Sequence, residues 1–484
     1  MSYNLQKVKK QRRVLFVFSI IQYFIEAKNI AVLFKENGWQ VSVMTGWIGD
    51  DIIEVKKFCE KNSFFYYETP HKFSYSNEVK KFNKTNQVSK KTLKNKFLQS
   101  NLFLTRVLTL FKNIIYLYHQ KKYFKTFFKG ETFDVVFSGP YSSCAKIDNV
   151  IAKMCKCFNI KFFCFPVFGN MCKSFNVESR KSCLRNGMLS EILYVDYDIF
   201  NKLVARFFPE WTKKDDQNNS FFMHEPTLLL SSKLLFCLED NVWDKPSKNF
   251  DLVFVESKFA KKLLLDDGWH KDKIIISGKP SAENIIKNFK DYKHKRKIIN
   301  YFNLKDANEK FILFNIEPTF EHNYSSQKDH WSRIHKICNL LLSTKKHIVI
   351  SLHPLCQLKN YKFLEKQYNF KISKVFRIFD LFPYSLFVVS HLCTTNFVAN
   401  NLGIKTIVFD WMKTIHQDKK NIVTEAFGYD NNSIVVNNFK DLSKKIKVLS
   451  KNTRKNNLDR FFSLTSSKII YDNTELLLHN DTII

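Results

Sequence analysis

The chain has 484 residues, 45% of them hydrophobic and 25% charged, which excludes a disordered polymer and leaves room for two cores. A net charge of +32 points to an anionic partner, yet Lys, Asn, Phe and Ile are abundant throughout and no nucleic-acid-binding motif accompanies them. Eleven cysteines without a CxxC pair exclude a zinc ribbon and a disulfide framework.

These totals set the expectations for location and partners. Single, buried, reduced thiols fit a cytosolic protein. The charge reads as compositional drift plus attraction to anionic lipid head groups at the inner membrane face, with no specific nucleic acid. The N-terminal run resembles a signal peptide in charge, but Gln22, Glu26 and Lys28 interrupt it and no cleavage site follows. The run SNLFLTRVLTLFKNIIYLYH is long enough to span a bilayer, yet Arg106, Lys112 and His119 punctuate it, so a helix with one apolar face is expected.

In chain order, VLFVFS, AKNIAVLFKENG and WQVSVMT read as strand, helix and strand, with Gly38 closing the helix. A βαβ unit implies a parallel sheet with a right-handed crossover. A helical insertion is expected over about 72–130. FDVVFSG and IKFFCFPV continue the sheet, while Gly169 to Trp243 carries no clear pattern. DLVFVESKFAKKLLLDDGWHKDKIIISGKP gives strand, helix and strand, with Ser257 as N-cap and Gly268 as the stop.

The stretch 284–310 is charged and helical and reads as a linker. FILFNI, a helix through WSRIHKICNLLLS, HIVISLH, a helix near YKFLEKQY, LFVVS, a helix and KTIVFD then repeat the alternation. The expected architecture is α/β, with two doubly wound, Rossmann-like parallel-sheet domains facing a cleft: residues 12–283 and 311–440. Helices are expected over 441–484, packing back on the first domain.

Ligands of open α/β sheets collect beyond the carboxyl ends of the strands. In the second domain these ends are Glu317, His353, Ser390 and Asp410. His353-Pro354 ends its strand, because proline denies a ladder bond. The imidazole then either meets a ligand or is satisfied by nearby backbone. Thr394-Thr395-Asn396 opens a helix whose unpaired N–H groups attract phosphate, unless the pair is an ordinary cap. With His353 expected one strand away on a neighbouring parallel strand, these residues read as a donor-phosphate site. Glu26, Glu317 and His322 are the candidate general bases. His224-Glu225-Pro226 falls in irregular chain, and Lys279 and Arg377 are further phosphate candidates. Asp196-Tyr197-Asp198 spells a metal-binding DxD, but without supporting context it reads as chance.

VESKFAKKLLLDDGWHKDKIIISGKP, SLHPL and SHLCTTNFVANNLGIKTIVFD together resemble the GT-B glycosyltransferases, in particular the capsule and lipopolysaccharide group with the CDP-glycerol glycerophosphotransferases and polysialyltransferase-like enzymes. IEPTFEHNYSSQKDHW resembles the loop after the first strand of their nucleotide domain. Asn400 and Asn401 stand where these families often carry small or acidic residues. The resemblance implies that His353 and Thr394–Thr395 hold the phosphates of a nucleotide sugar, with no metal or other cofactor required, and that the acceptor is a polysaccharide or lipid-linked. A UDP-N-acetylglucosamine 2-epimerase-like enzyme, and a non-catalytic basic protein binding nucleic acid or membrane, are the competing expectations.

Overall fold

The computed structural model describes residues 11–19, 21–46, 51–69, 96–140, 146–166, 177, 180–181, 184, 191–215, 217–238, 241–243, 248–306, 309–321, 325–353, 356–391, 393–411, 433–451 and 465–480. The chain divides into two compact units: residues 1–177, 190–281 and 465–484 form the first, and residues 178–189 and 282–464 the second.

In the first unit, β-branched and aromatic runs make a seven-stranded sheet. Its strands are β1 (Arg13–Phe18), β2 (Gln40–Thr45), β3 (Phe65–Glu68), β4 (Val135–Ser138), β5 (Lys161–Cys164), β8 (Leu252–Val255) and β9 (Ile274–Ile276). The order is β3-β2-β1-β4-β5-β8-β9, and every pairing is parallel. Strands buried on both faces need continuous apolar sequence, and VLFVF and LVFV supply it. The stretch without a clear pattern holds a small antiparallel pair, β6 (Thr212–Lys214) and β7 (Ser220–Phe222). Three-residue strands are too short to show a period.

The helix Ile21–Glu36 ends as Gly38 takes φ +83°. Ser257 accepts from the Ala260 N–H at 3.1 Å and caps the helix Lys258–Asp266, and Gly268 follows at φ +80°. The helix Ser466–Asn480 belongs to this unit: Ile470 is fully buried with Phe34 and Trp39. Asp198 bonds the Arg106 guanidinium at 2.9 Å and caps the helix Ile199–Phe207, while Asp196 lies at the surface beside Lys202. The two acids of the DxD therefore serve different structural partners.

The second unit contains β10 (Phe311–Ile316), β11 (Ile348–Leu352), β12 (Lys371–Ile372), β13 (Ser385–Ser390), β14 (Thr406–Phe409) and β15 (Ser433–Val436). The order is β12-β11-β10-β13-β14-β15, again all parallel. β12 and β15 are additions to the sequence reading, and both are short edge strands. One expectation needs correction: β11 and β13 are not neighbours. The chain winds outward from β10 through β11 and β12, then returns to the other side of β10. His353 and the Thr394–Thr395 pair thus lie on one rim with the end of β10 between them.

Gly278 shows how tightly the C-terminal helix closes on the first sheet. It has φ +80°, and a Cβ there would meet Ser466 Oγ at 2.6 Å. Gly278→Ala is expected to lower stability by about 2 kcal/mol through backbone strain and this clash, measurable as a shift of the urea midpoint. An unchanged midpoint would contradict the packing described.

Candidate functional site

The carboxyl ends of β10, β13 and β14 bring together polar side chains that are distant in sequence. After β13, Ser390 donates to the Asn396 side-chain oxygen at 2.6 Å, and Asn396 donates to the His391 carbonyl at 2.8 Å. These bonds tie the end of β13 to the start of the helix Thr394–Asn401. Cys393 stands at the N-cap and makes no side-chain cap bond. The Asn396 N–H bonds the Cys393 carbonyl at 3.1 Å, and the N–H groups of Thr394 and Thr395 stand before it at the positive end of the helix dipole.

Glu317 sits beside this junction. The residue is half-buried, but its Oε1 is enclosed and has no hydrogen-bond partner among the described residues. Burial pushes the carboxyl above its usual range, and the nearby His391 and a hydrogen bond with Cys393 offset part of that rise. Burial likewise raises the Cys393 thiol, which lies 2.8 Å from Thr395 Oγ1. Asn315, within β10, reaches both Cys393 and Thr395 at 3.5 Å. His391 Nδ1 lies 2.9 Å from the Phe409 carbonyl. Only an N–H can face a carbonyl oxygen, so Nδ1 carries the proton and Nε2 is the basic nitrogen.

A crevice of about 420 Å³, counted with the solvent open to it, is lined by Asn315, Glu317, Arg333, His391 and Trp411. Arg333 comes from the helix Gln327–Leu342 and stacks over the Trp411 ring at 3.5 Å. It also donates to Ser325 at 3.0 Å and Thr319 at 3.3 Å. Burial pushes its guanidinium down to about 10, so it stays charged at neutral pH. A planar cation fixed on an aromatic ring is well placed for phosphate.

The loop that carries Glu317 is held by a buried relay. Tyr361 donates to Glu321 at 2.9 Å, so it must accept from His330 Nε2, also at 2.9 Å. His330 Nδ1 then accepts from Thr319 at 2.6 Å. His330 is 2% exposed, and burial pushes it down to about 4.

The sequence-derived candidates fall as follows. His353 is exposed at the end of β11, and its N–H bonds the Ile316 carbonyl at 3.1 Å. Ser390, Thr395 and Asn396 lie at the junction, and Thr394 opens the helix, though its side chain is not among those described. Asp410 is buried after β14, its N–H bonded to the Val436 carbonyl. His322 and Pro354 lie outside the described residues. Glu26 belongs to the first unit, where it is 4% exposed, pairs with Lys279 at 3.1 Å and accepts from the Ser281 N–H at 3.2 Å. Nearby Glu256 is pushed up to about 7 by burial, with Lys279 pulling the other way. Asn315, Arg333, His391, Cys393 and Trp411 were not singled out from sequence. His391 and Cys393 flank the strand-to-helix break, which was their only signal.

No protein-family model matches the chain, and the search of curated proteins finds no match. Solved structures do resemble it. A Methanocaldococcus jannaschii UDP-GlcNAc 2-epimerase in complex with UDP-GlcNAc and UDP superposes with a TM-score of 0.53 at 12% identity, covering 96% of this chain and 99% of that one. The Neisseria meningitidis UDP-GlcNAc 2-epimerase bound to UDP-GlcNAc gives 0.51 at 12% identity, covering 95% and 98%. The fold is GT-B-like. At such identities the likeness extends to the fold alone.

The His330 relay gives a pH test. A histidine whose folded pKa lies below its unfolded value adds stability above pH 6.5, and that stability is lost as pH falls towards 4. The loss amounts to roughly 3 kcal/mol at the acid end. Urea unfolding at pH 7 and pH 5 should show it, and His330→Gln should flatten the difference. Equal slopes in both proteins would contradict the relay.

Proposed function

We propose that the chain is a nucleotide-sugar-dependent glycosyltransferase whose second unit holds the donor's diphosphate at the N-terminus of the helix Thr394–Asn401. The observation that carries this reading is the meeting of three features on one rim: a helix start without a side-chain cap, the Arg333 guanidinium on Trp411, and the enclosed Glu317 carboxyl. A carboxyl raised by burial is compatible with a neighbouring phosphate, because its neutral form donates a hydrogen bond where an ionised one would repel. Two solved structures similar in fold hold UDP-GlcNAc, one of them with UDP as well, which makes a uridine diphosphate sugar the first donor to test.

In the proposed reaction an acceptor hydroxyl attacks the anomeric carbon as the bond to the diphosphate oxygen breaks. The helix N–H groups, the Thr395 hydroxyl and Arg333 stabilise charge on the leaving diphosphate. His353 is proposed to approach the same phosphates from the β11 end. The acceptor's proton passes to a base, for which Glu26, His322 and the Nε2 of His391 are the candidates; Glu317, neutral beside the phosphates in this scheme, does not serve as that base. The binding site needs no metal or other cofactor in this scheme, and the acceptor is proposed to be a surface polysaccharide or a lipid-linked saccharide.

The epimerase reading is the alternative: solved structures similar in fold include UDP-GlcNAc 2-epimerases, and that likeness supports this reading no better than the transferase one. Chromatography after incubation with UDP-GlcNAc and no acceptor separates the two: an epimerised sugar nucleotide supports the second reading, an intact donor the first.

Calorimetry with UDP and UDP-sugars should detect binding to the wild type. Arg333→Ala and Thr395→Ala should each weaken it roughly tenfold. His391→Ala should lower kcat more than it raises KM. Absence of binding across uridine, cytidine and guanosine donors would overturn the proposal.

A further inference from the structure

The helix Lys96–Gly130 of the first unit is the longest described, and one of its faces is unpartnered among the described residues. Leu117, Phe124 and Phe128 are buried on the inward side, with Arg106 tied to Asp198 and Glu225. On the outward side Leu104, Leu108, Phe111, Ile115 and Tyr118 recur at alternating steps of four and three residues, each 54–57% exposed. That spacing aligns them in one ridge about 21 Å long. Exposed single apolar residues are ordinary; a continuous row of five is not.

The ridge continues in a different chemistry. Lys122, Lys125 and Lys129 extend the same line at the same spacing, and all three are exposed. The helix sequence KFLQSNLFLTRVLTLFKNIIYLYHQKKYFKTFFKG contains no acidic residue. The neighbouring helix Ile199–Phe207, joined through the Phe103–Phe200 contact, exposes Ile199, Leu203 and Phe207 together with Lys202 and Arg206. It too lacks an acid.

Two occupants suit an apolar ridge: a second copy of the same helix, or a lipid surface. Four-three spacing would allow a coiled coil, but its core line would then run into Lys122, Lys125 and Lys129. Pairing with a second copy would set lysines at core positions in a helix without a compensating carboxylate. An anionic bilayer answers both halves of the row, since acyl chains receive the ridge and phosphate head groups meet the lysines. No helix of the described residues is long and apolar enough to cross a membrane, so the geometry is that of a helix lying in the interface.

We propose that the Leu104–Lys129 face of this helix docks the protein onto an anionic phospholipid surface, with the apolar ridge inserted among the acyl chains and the lysine extension against the head groups. The proposal goes beyond the donor reading and does not depend on it.

Sedimentation of the full chain with vesicles of phosphatidylcholine, with or without phosphatidylglycerol, tests it. The wild type should pellet with the anionic vesicles and be released by salt. Lys122→Glu/Lys125→Glu/Lys129→Glu should reduce the partition coefficient about a hundredfold, and Phe111→Ser/Ile115→Ser should reduce it at least tenfold. These side chains are exposed, so both variants should keep the wild-type urea midpoint. Failure of the wild type to pellet would overturn the proposal. So would full binding by the Phe111/Ile115 variant, which would leave only a diffuse charge effect. A dimer in sedimentation velocity that the Phe111/Ile115 variant dissociates would assign the ridge to self-association instead.

Discussion

Everything at the candidate site depends on the parallel hydrogen bonding of β10 to both β11 and β13. Parallel pairing sends all three strands out of the core at one rim, and a central β10 makes its end the place where the chain reverses its winding direction. Glu317 follows that strand directly. The junction after β13 lies beside it, so a carboxyl, a thiol, an imidazole and a helix start are brought together by backbone register before any side chain contributes. The cost is an enclosed carboxyl oxygen without a hydrogen-bond partner among the described residues. Such a group is destabilising unless it stays protonated or meets a ligand.

Charge in the first unit is handled differently. Arg106 is 1% exposed and shared between Asp198 and Glu225, and Glu26 is matched by Lys279. Buried pairs of this kind add little net stability, because desolvation offsets their attraction, but breaking one strands a charge in the interior. They fix geometry: the first joins the long helix to the segments around 198 and 225, and the second joins the helix after β1 to the turn after β9. The high net charge has a local counterpart as well. The acid-free helix Lys96–Gly130 shows that part of the excess is concentrated on one face, which a compositional account does not explain.

Much of the fold was legible because buried parallel strands need unbroken apolar runs. FILFNI, LFVVS and KTIVF announce themselves, as do Ser257 and Gly268 at the ends of their helix. β12 and β15 were not legible, since edge strands of two to four residues carry too little pattern. Strand order was not legible either, because periodicity says nothing about neighbours; hence β10 sits between β11 and β13. Within the site, Glu317, Thr395 and Asn396 could be named as residues at strand ends and helix starts. Arg333 could not. It lies in the second turn of a helix and acquires its place only by packing on Trp411, a contact set by tertiary structure. His391 and Cys393 stood in plain view but looked like filler between Ser390 and the threonines.

The central claim is that the rim formed by β10, β13 and the helix Thr394–Asn401 receives a diphosphate. A crystal structure of the chain grown with UDP tests it most directly. The account predicts phosphate oxygens within hydrogen-bond distance of the backbone N–H groups of Thr394 and Thr395 and of the Arg333 guanidinium. A nucleotide bound elsewhere, with those groups still facing solvent, would contradict it.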